Sequence, residues 1–283
     1  MNNNIKIFSN NCYTINLVNT TTDPFLKSIN NVFILSMENS DRLKNRQPDL
    51  FKLGKNTYVQ NNKGFKKCKK DKLINIATLD IIDAYKNVCE FIKNKNENII
   101  ILEDDAFIIN FDRNIYNEIN NFIQNNKFDI YSFGSMGIQI YNPFNNHRKI
   151  YDFYGPMQAT IWSAKAINFF LNQDWLDKEN FSYNFNSNHQ LLDRGILSKL
   201  NNNFSYKIPL IVQSFPNTES LKVWDKSAIR SKIIKCLKID KENFINLSNG
   251  WNFIYFLNHW TIPIIIIIII ILISIIIYLK FKQ

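Results

Sequence analysis

Ile99-Ile100-Ile101-Leu102, followed at once by Glu103-Asp104-Asp105, constrains this 283-residue chain more than any other stretch. Four apolar, mostly β-branched residues make a run short enough for a strand and apolar enough to be covered on both faces. Three carboxylates cannot stay inside unpaired, so the strand must deliver them to an edge where cationic or hydrogen-bonding partners wait. In open α/β sheets ligands bind just beyond the carboxyl ends of the strands. The plain alternative for the same residues is a solvated acidic loop.

The pattern around this strand predicts alternating elements. Residues 1–29 read as a polar N-terminal segment, with Thr20-Thr21-Thr22-Asp23-Pro24 marking a loop before the first regular element. Val32 to Met37 reads as a buried strand. Ile74, Ala77, Ile81, Tyr85, Val88 and Ile92 recur at three- and four-residue steps, which predicts an amphipathic helix ahead of the acidic strand. Ile115, Ile119, Phe122 and Ile123 suggest another helix, Phe128 to Gly134 a strand with a glycine turn, Ala159 to Trp162 a strand, Ala164 to Leu171 a helix, and Ile208 to Val212 a last short strand. Strands alternating with helices predict an α/β domain on a mostly parallel, Rossmann-like sheet. Neither a dinucleotide-binding glycine fingerprint nor a phosphate-binding P-loop is present.

Net charge is +10, with the densest basic run at Lys63, Lys66, Lys67, Lys69, Lys70 and Lys72, which reads as a solvated loop. No recognition helix, zinc-finger spacing or aromatic-interleaved motif accompanies it, so nucleic acid is not expected as a partner. Cys12, Cys68, Cys89 and Cys236 are irregularly spaced and read as reduced, unpaired thiols. With three histidines and no Cys/His pattern, a zinc site or a Cys–His nucleophile has no support. The Asn-X-Ser/Thr sites at Asn19, Asn180, Asn203 and Asn246 follow from the Asn-rich composition and place nothing.

Residues 261–279 are nearly pure isoleucine and leucine, long enough at about 1.5 Å per residue to cross a ~30 Å hydrocarbon core. Pro263 suits the first helical turn, and Trp251, Tyr255, Trp260, Tyr278 and Phe281 flank the span as interfacial aromatics do. The chain then divides into the polar segment 1–29, a domain at 30–225, a basic-to-aromatic juxtamembrane stretch at 226–260, the span, and a short basic tail at 280–283. The N-terminal residues show no secretory signal, which predicts a single-pass C-terminal anchor with the domain in the cytosol. Lys280 and Lys282 beyond the span argue the opposite orientation by the positive-inside rule.

Several segments, in order, resemble glycosyltransferase family 25, which includes lipooligosaccharide and collagen galactosyltransferases. They are Val32 to Arg42, Ile100 to Ala106, Phe128 to Gly134, Ala159 to Phe170, Leu191 to Ile196 and Pro209 to Ser220, together covering roughly residues 30–225. The family's "GE.GC..SH" segment is missing, because Leu73 to Asp80 stands in its place. The resemblance implies a GT-A-like nucleotide-sugar-binding domain, and transfer of a sugar such as galactose from a UDP-sugar to a glycan, glycolipid or glycoprotein. Inversion and dependence on Mn2+ or Mg2+ are implied with it.

On that resemblance, Asp104 and Asp105 would hold the metal, and Glu103, Asp104 and Arg42 would serve the donor. Asp193, with Glu219 second, would deprotonate the acceptor hydroxyl, and Lys165 and Arg42 could steady phosphates. Two competing readings are a catalytically silent, membrane-tethered binding or structural protein and a metal-dependent phosphodiesterase. The missing segment favours the silent protein. The phosphodiesterase would need further ligands, typically several His or Asp, and three histidines argue against it.

Overall fold

The computed structural model describes residues 5–43, 47–134, 138–139, 145–152, 158–173, 192, 197–213 and 244–281. Twelve strands and four α-helices fall within them: β1 (Ile5–Ser9), β2 (Tyr13–Thr20), β3 (Asn31–Met37), β4 (Asn56–Asn62), α1 (Ala77–Ile92), β5 (Ile99–Glu103), β6 (Ala106–Ile108), α2 (Arg113–Asn125), β7 (Ile130–Ser132), β8 (Ile138–Gln139), β9 (His147–Asp152), β10 (Ala159–Trp162), α3 (Ala164–Leu171), β11 (Asn203–Tyr206), β12 (Ile211–Gln213) and α4 (Phe244–Phe281). Ten strands form one sheet in the order β1-β2-β4-β3-β5-β10-β7-β11-β9-β8, and β6 pairs with β12 in a separate ribbon.

The fold is mixed α/β, and its sheet is less parallel than the strand–helix alternation suggests. Strand β3 pairs parallel with both β4 and β5, and β7 parallel with β11. Strand β10 runs antiparallel to both β5 and β7, and the flanking pairs are antiparallel too. Hydrophobic periodicity reports which face is buried and is blind to strand direction, so the reversal of β10 has no signature in sequence.

The central strands are buried on both faces, as their composition requires. Phe33, Leu35, Ile99 and Ile101 join one core with Tyr85, Val88, Cys89 and Ile92 of α1 and Phe170 of α3. Their neighbours Val32, Ile34, Ile100 and Leu102 point the other way, onto Tyr116, Ile119 and Ile123 of α2. Helix α2 starts where the Asp112 side chain accepts from the Asn114 backbone N–H, and α3 where Ser163 caps Ala166.

Within the polar N-terminal segment, β1 and β2 join the ten-stranded sheet. Tyr13, Ile15 and Leu17 alternate on one face of β2, which pairs with β4 and carries β1 on its outer edge. That register sets Cys12 beside the loop after β4, and Cys12 and Cys68 form a disulfide with Cα atoms 5.5 Å apart. The expectation of unpaired thiols is overturned for these two, while Cys89 is buried and free. Gly64 turns the chain into this loop at φ +79°, a conformation that disfavours a side chain.

The same loop overturns the reading of the basic run as wholly solvated. The Lys70 side chain is 3% exposed and pairs with Asp80 at 2.6 Å and Asp83 at 3.1 Å. Its Nζ also donates to the Asn62 Oδ1 and the Tyr13 hydroxyl, and lies 4.2 Å from the Tyr13 ring centroid. Burial and the Asp83 carboxylate push the Tyr13 phenol upward. Lys66, Lys67, Lys69 and Lys72 remain exposed.

Helix α4 is continuous from Phe244 to Phe281, and its Pro263–Lys280 window is long and apolar enough to cross a membrane. Pro263 therefore lies inside the helix, not in its first turn. One missing backbone N–H there is the kind of defect that membrane helices tolerate.

Removing the Lys70 cation leaves Asp80 buried and uncompensated. Lys70→Met is expected to lower stability by about 3–5 kcal/mol in urea unfolding. Lys86→Met, which removes only an exposed 3.9 Å pair with Glu90, should change it by no more than about 0.5 kcal/mol.

His147 gives a pH signature. It is half-buried, stacked on Phe122 at 4.2 Å and 2.9 Å from the Tyr131 hydroxyl. Burial pulls its imidazole down to about 4, with the nearby Glu118 opposing. The folded chain thus disfavours the proton: its contribution is complete above the ordinary value near 6.5 and is lost as pH falls through about 4. The full shift corresponds to about 3 kcal/mol, which solvent screening of a half-buried ring trims to about 1–2 kcal/mol. Unfolding curves between those two pH values should show His147→Phe losing that much less stability than the natural chain.

Candidate functional site

The parallel strands β4, β3 and β5 end at one edge of the sheet, with Met37 opposite Asn62 and Glu103 opposite Leu35. The three carboxylates emerge there, and a different element grips each one. Helix α1 supplies Tyr85, whose hydroxyl donates to Glu103 Oε1 at 3.1 Å. The end of β3 supplies Ser36 and Ser40, whose hydroxyls donate to Asp104 Oδ2 at 3.0 and 2.9 Å, and the turn beyond it supplies Arg42, 3.1 Å from Asp104 Oδ1. Strand β12 supplies Gln213, whose amide donates to Asp105 Oδ2 at 2.8 Å.

Burial raises both Glu103 and Asp105 above the usual carboxylate range. The Asp105 charge adds to the effect on Glu103, which Tyr85 and Arg42 oppose. For Asp105, the Gln213 amide pulls the other way. Asp105 Oδ1 and Gln213 Oε1, at this edge, are two of the nine buried side-chain polar atoms that have no hydrogen-bond partner among the described residues. Buried acceptors are usually satisfied in folded proteins, and these two belong to hydrogen-bonded neighbours, Asp105 in the turn after β5 and Gln213 on β12, which makes the pair a candidate ligand site.

Those two oxygens fit a hard divalent cation, which takes carboxylate and amide oxygens. Asp104, expected to share the metal, has both its oxygens engaged by Ser36, Ser40 and Arg42. Asp105 is thus the carboxylate with an oxygen to offer. Among the described residues no group of three His, Cys, Asp or Glu side chains gathers. A cation here would depend on oxygens brought by its ligand, as Mg2+ at phosphate sites commonly does.

Arg42 stands at this edge as expected, its side chain 34% exposed. Lys165 does not. It pairs at 2.8 Å with the buried Asp129 just before β7, at the end of the sheet where β5 begins and β10 finishes. Asp129, otherwise a buried unpaired charge, also accepts from the Asn202 backbone N–H, so Lys165 has a structural partner remote from the acids. Asp193 and Glu219 lie outside the described residues.

Tyr85, Ser36, Ser40 and Gln213 belong to the site without having been singled out from sequence. Only Tyr85 carried a signal, its place on the buried stripe of α1. Gln158, buried just before β10, fastens the surroundings: its backbone carbonyl accepts from Glu103 N–H, and its amide donates to the carbonyls of Gly134 and Ile211.

No family model matches this chain, and no curated protein matches it either. Among solved structures, the crystal structure of A197 from STIV aligns at 12% identity with a TM-score of 0.31, over 62% of this chain and 81% of that one. At that score the likeness assigns neither fold nor function.

Gly134 holds β12, and with it Gln213, against β7. A Cβ there would stand 2.2 Å from the Ile211 carbonyl oxygen, a backbone atom that cannot move aside alone. Gly134→Ala should cost about 1–3 kcal/mol of stability by thermal unfolding and weaken divalent-cation binding, read by calorimetry, in the fraction that still folds.

Proposed function

We propose that this chain is a membrane-anchored glycosyltransferase of GT-A type that takes a UDP-sugar donor and a glycan, glycolipid or glycoprotein acceptor. The observation that carries the reading is the buried, unpartnered Asp105 oxygen at the end of a central parallel strand. Supporting it are the order β4-β3-β5-β10-β7, with β10 reversed, and the ordered resemblance of segments between residues 30 and 225.

A leaving nucleoside diphosphate concentrates negative charge at the reacting bond. Mn2+ or Mg2+ bound by Asp105 and Gln213 would neutralise that charge. Arg42, held in place by Asp104, offers a fixed cation to the donor phosphates. Tyr85 fixes the Glu103 carboxyl at the edge where the donor would lie. Asp193, or Glu219 after it, would take the proton from the acceptor hydroxyl in an inverting displacement.

The second reading, a silent tethered module, draws on Asp104 and Glu103, whose bonds to their neighbours are what structural acids make. Asp105 favours the first, because its second oxygen is buried and has no partner among the described residues.

Full-length chain in detergent, screened over UDP-sugars with and without Mn2+, should hydrolyse or bind one donor in a metal-dependent way. Asp105→Asn keeps the shape and the bond to Gln213 within reach, and should lower that turnover at least about 100-fold, with the melting temperature preserved. A folded natural chain that binds no nucleotide sugar would instead establish the silent module.

A further inference from the structure

Cys12 and Cys68 are joined while Cys89 is buried and free, and the joined pair links segments 56 residues apart in sequence. Cys12 heads β2, and Cys68 lies in the loop that leaves β4 at Gly64 and feeds Lys70 between Asp80 and Asp83. We propose that the sheet domain stands on the oxidising side of its membrane, with helix α4 passing Lys280 and Lys282 to the cytosolic side. This reverses the cytosolic placement expected from the N-terminal residues, and it does not depend on the glycosyltransferase reading.

Two independent observations point the same way. Cytosolic thiols are kept reduced, whereas disulfides form and persist in extracytoplasmic compartments. Forming this bond removes two electrons and two protons from the thiols. Thiol–disulfide exchange with an oxidised dithiol oxidoreductase of that compartment accepts both. The second observation is charge. Residues 243–262, on the domain side of the span, contain neither Lys nor Arg, whereas Lys280 and Lys282 follow it directly. The positive-inside rule counts charges within about 15–20 residues of the span and so places the tail in the cytosol. The +10 charge of the whole chain does not oppose this, because long domains translocate largely regardless of charge.

The test uses the full chain in its membrane, with an epitope tag after Gln283. Free thiols are blocked with N-ethylmaleimide under denaturing conditions, and the chain is then reduced and labelled with polyethylene-glycol maleimide. Two added labels are expected, and none in a Cys12→Ser/Cys68→Ser variant. In sealed vesicles with the cytosolic face outward, protease should remove the tag and spare the domain. No label on the natural chain, or a digested domain with a protected tag, overturns the proposal. Both readouts are made on the natural chain, so they stand even where the double variant fails to fold.

Discussion

The structure depends on resolving one conflict, that a strand apolar enough to be buried on both faces ends in three consecutive carboxylates. Desolvating a charge costs several kcal/mol unless it is compensated, and neighbouring negative charges add to that cost. The fold answers by bringing a separate element to each acid. Helix α1 brings Tyr85, the end of β3 brings two serines and Arg42, and β12 brings Gln213. One stretch of seven residues, Ile99 to Asp105, thereby sets the mutual position of β3, β5, α1 and the β6–β12 ribbon. Among the described residues the compensation stops one oxygen short at Asp105, which leaves that oxygen open to a ligand.

A second fastening point works on the same helix. Asp80 and Asp83 lie on one face of α1, close to its start, and both pair with Lys70. Tyr85 follows within a turn and reaches Glu103. The loop bearing Lys70 is tied to β2 by the Cys12–Cys68 bond, so the position of Tyr85 is fixed from outside the site as well as within it. The acids at β5 and the ion cluster at β4 are thus two ends of one arrangement, with α1 as the rigid link.

What was legible in sequence followed from periodicity and from local chemistry. Ile99 to Glu103, the stripe of α1 and the span of helix α3 carry their structure in their own spacing, and they stand where the pattern put them. Strands β1 and β2 did not, because Asn and Thr between Tyr13, Ile15 and Leu17 mask a real alternation in an Asn-rich chain. The reversed β10, the Cys12–Cys68 pairing and the Lys70 cluster depend on register between distant segments, which no window of sequence contains. Gln213 was invisible for a different reason. An amide has no charge and no motif, and it reaches the acids only when β12 pairs with β6 and sets Gln213 opposite Ala106, one residue from Asp105.

The same ribbon relates the site to the membrane. Strand β6 leaves the acids at Ala106, and at Asn110, just beyond its end, an amide donates to Asn252 of α4 at 3.3 Å. Tyr255, 4% exposed, fixes the next turn of that helix, which then runs unbroken into the span at Pro263. From Asp105 to Asn110 is about 17 Å of extended chain, and from Asn252 to Pro263 about 17 Å of helix. With the side-chain contact between them, the acidic edge lies within roughly 40 Å of the apolar window that begins at Pro263. A long flexible stalk would let such a site range through solution. Here helix α4, joined to the domain through Asn110 and Asn252, would hold the acidic edge at a set distance from any membrane that its apolar window crosses.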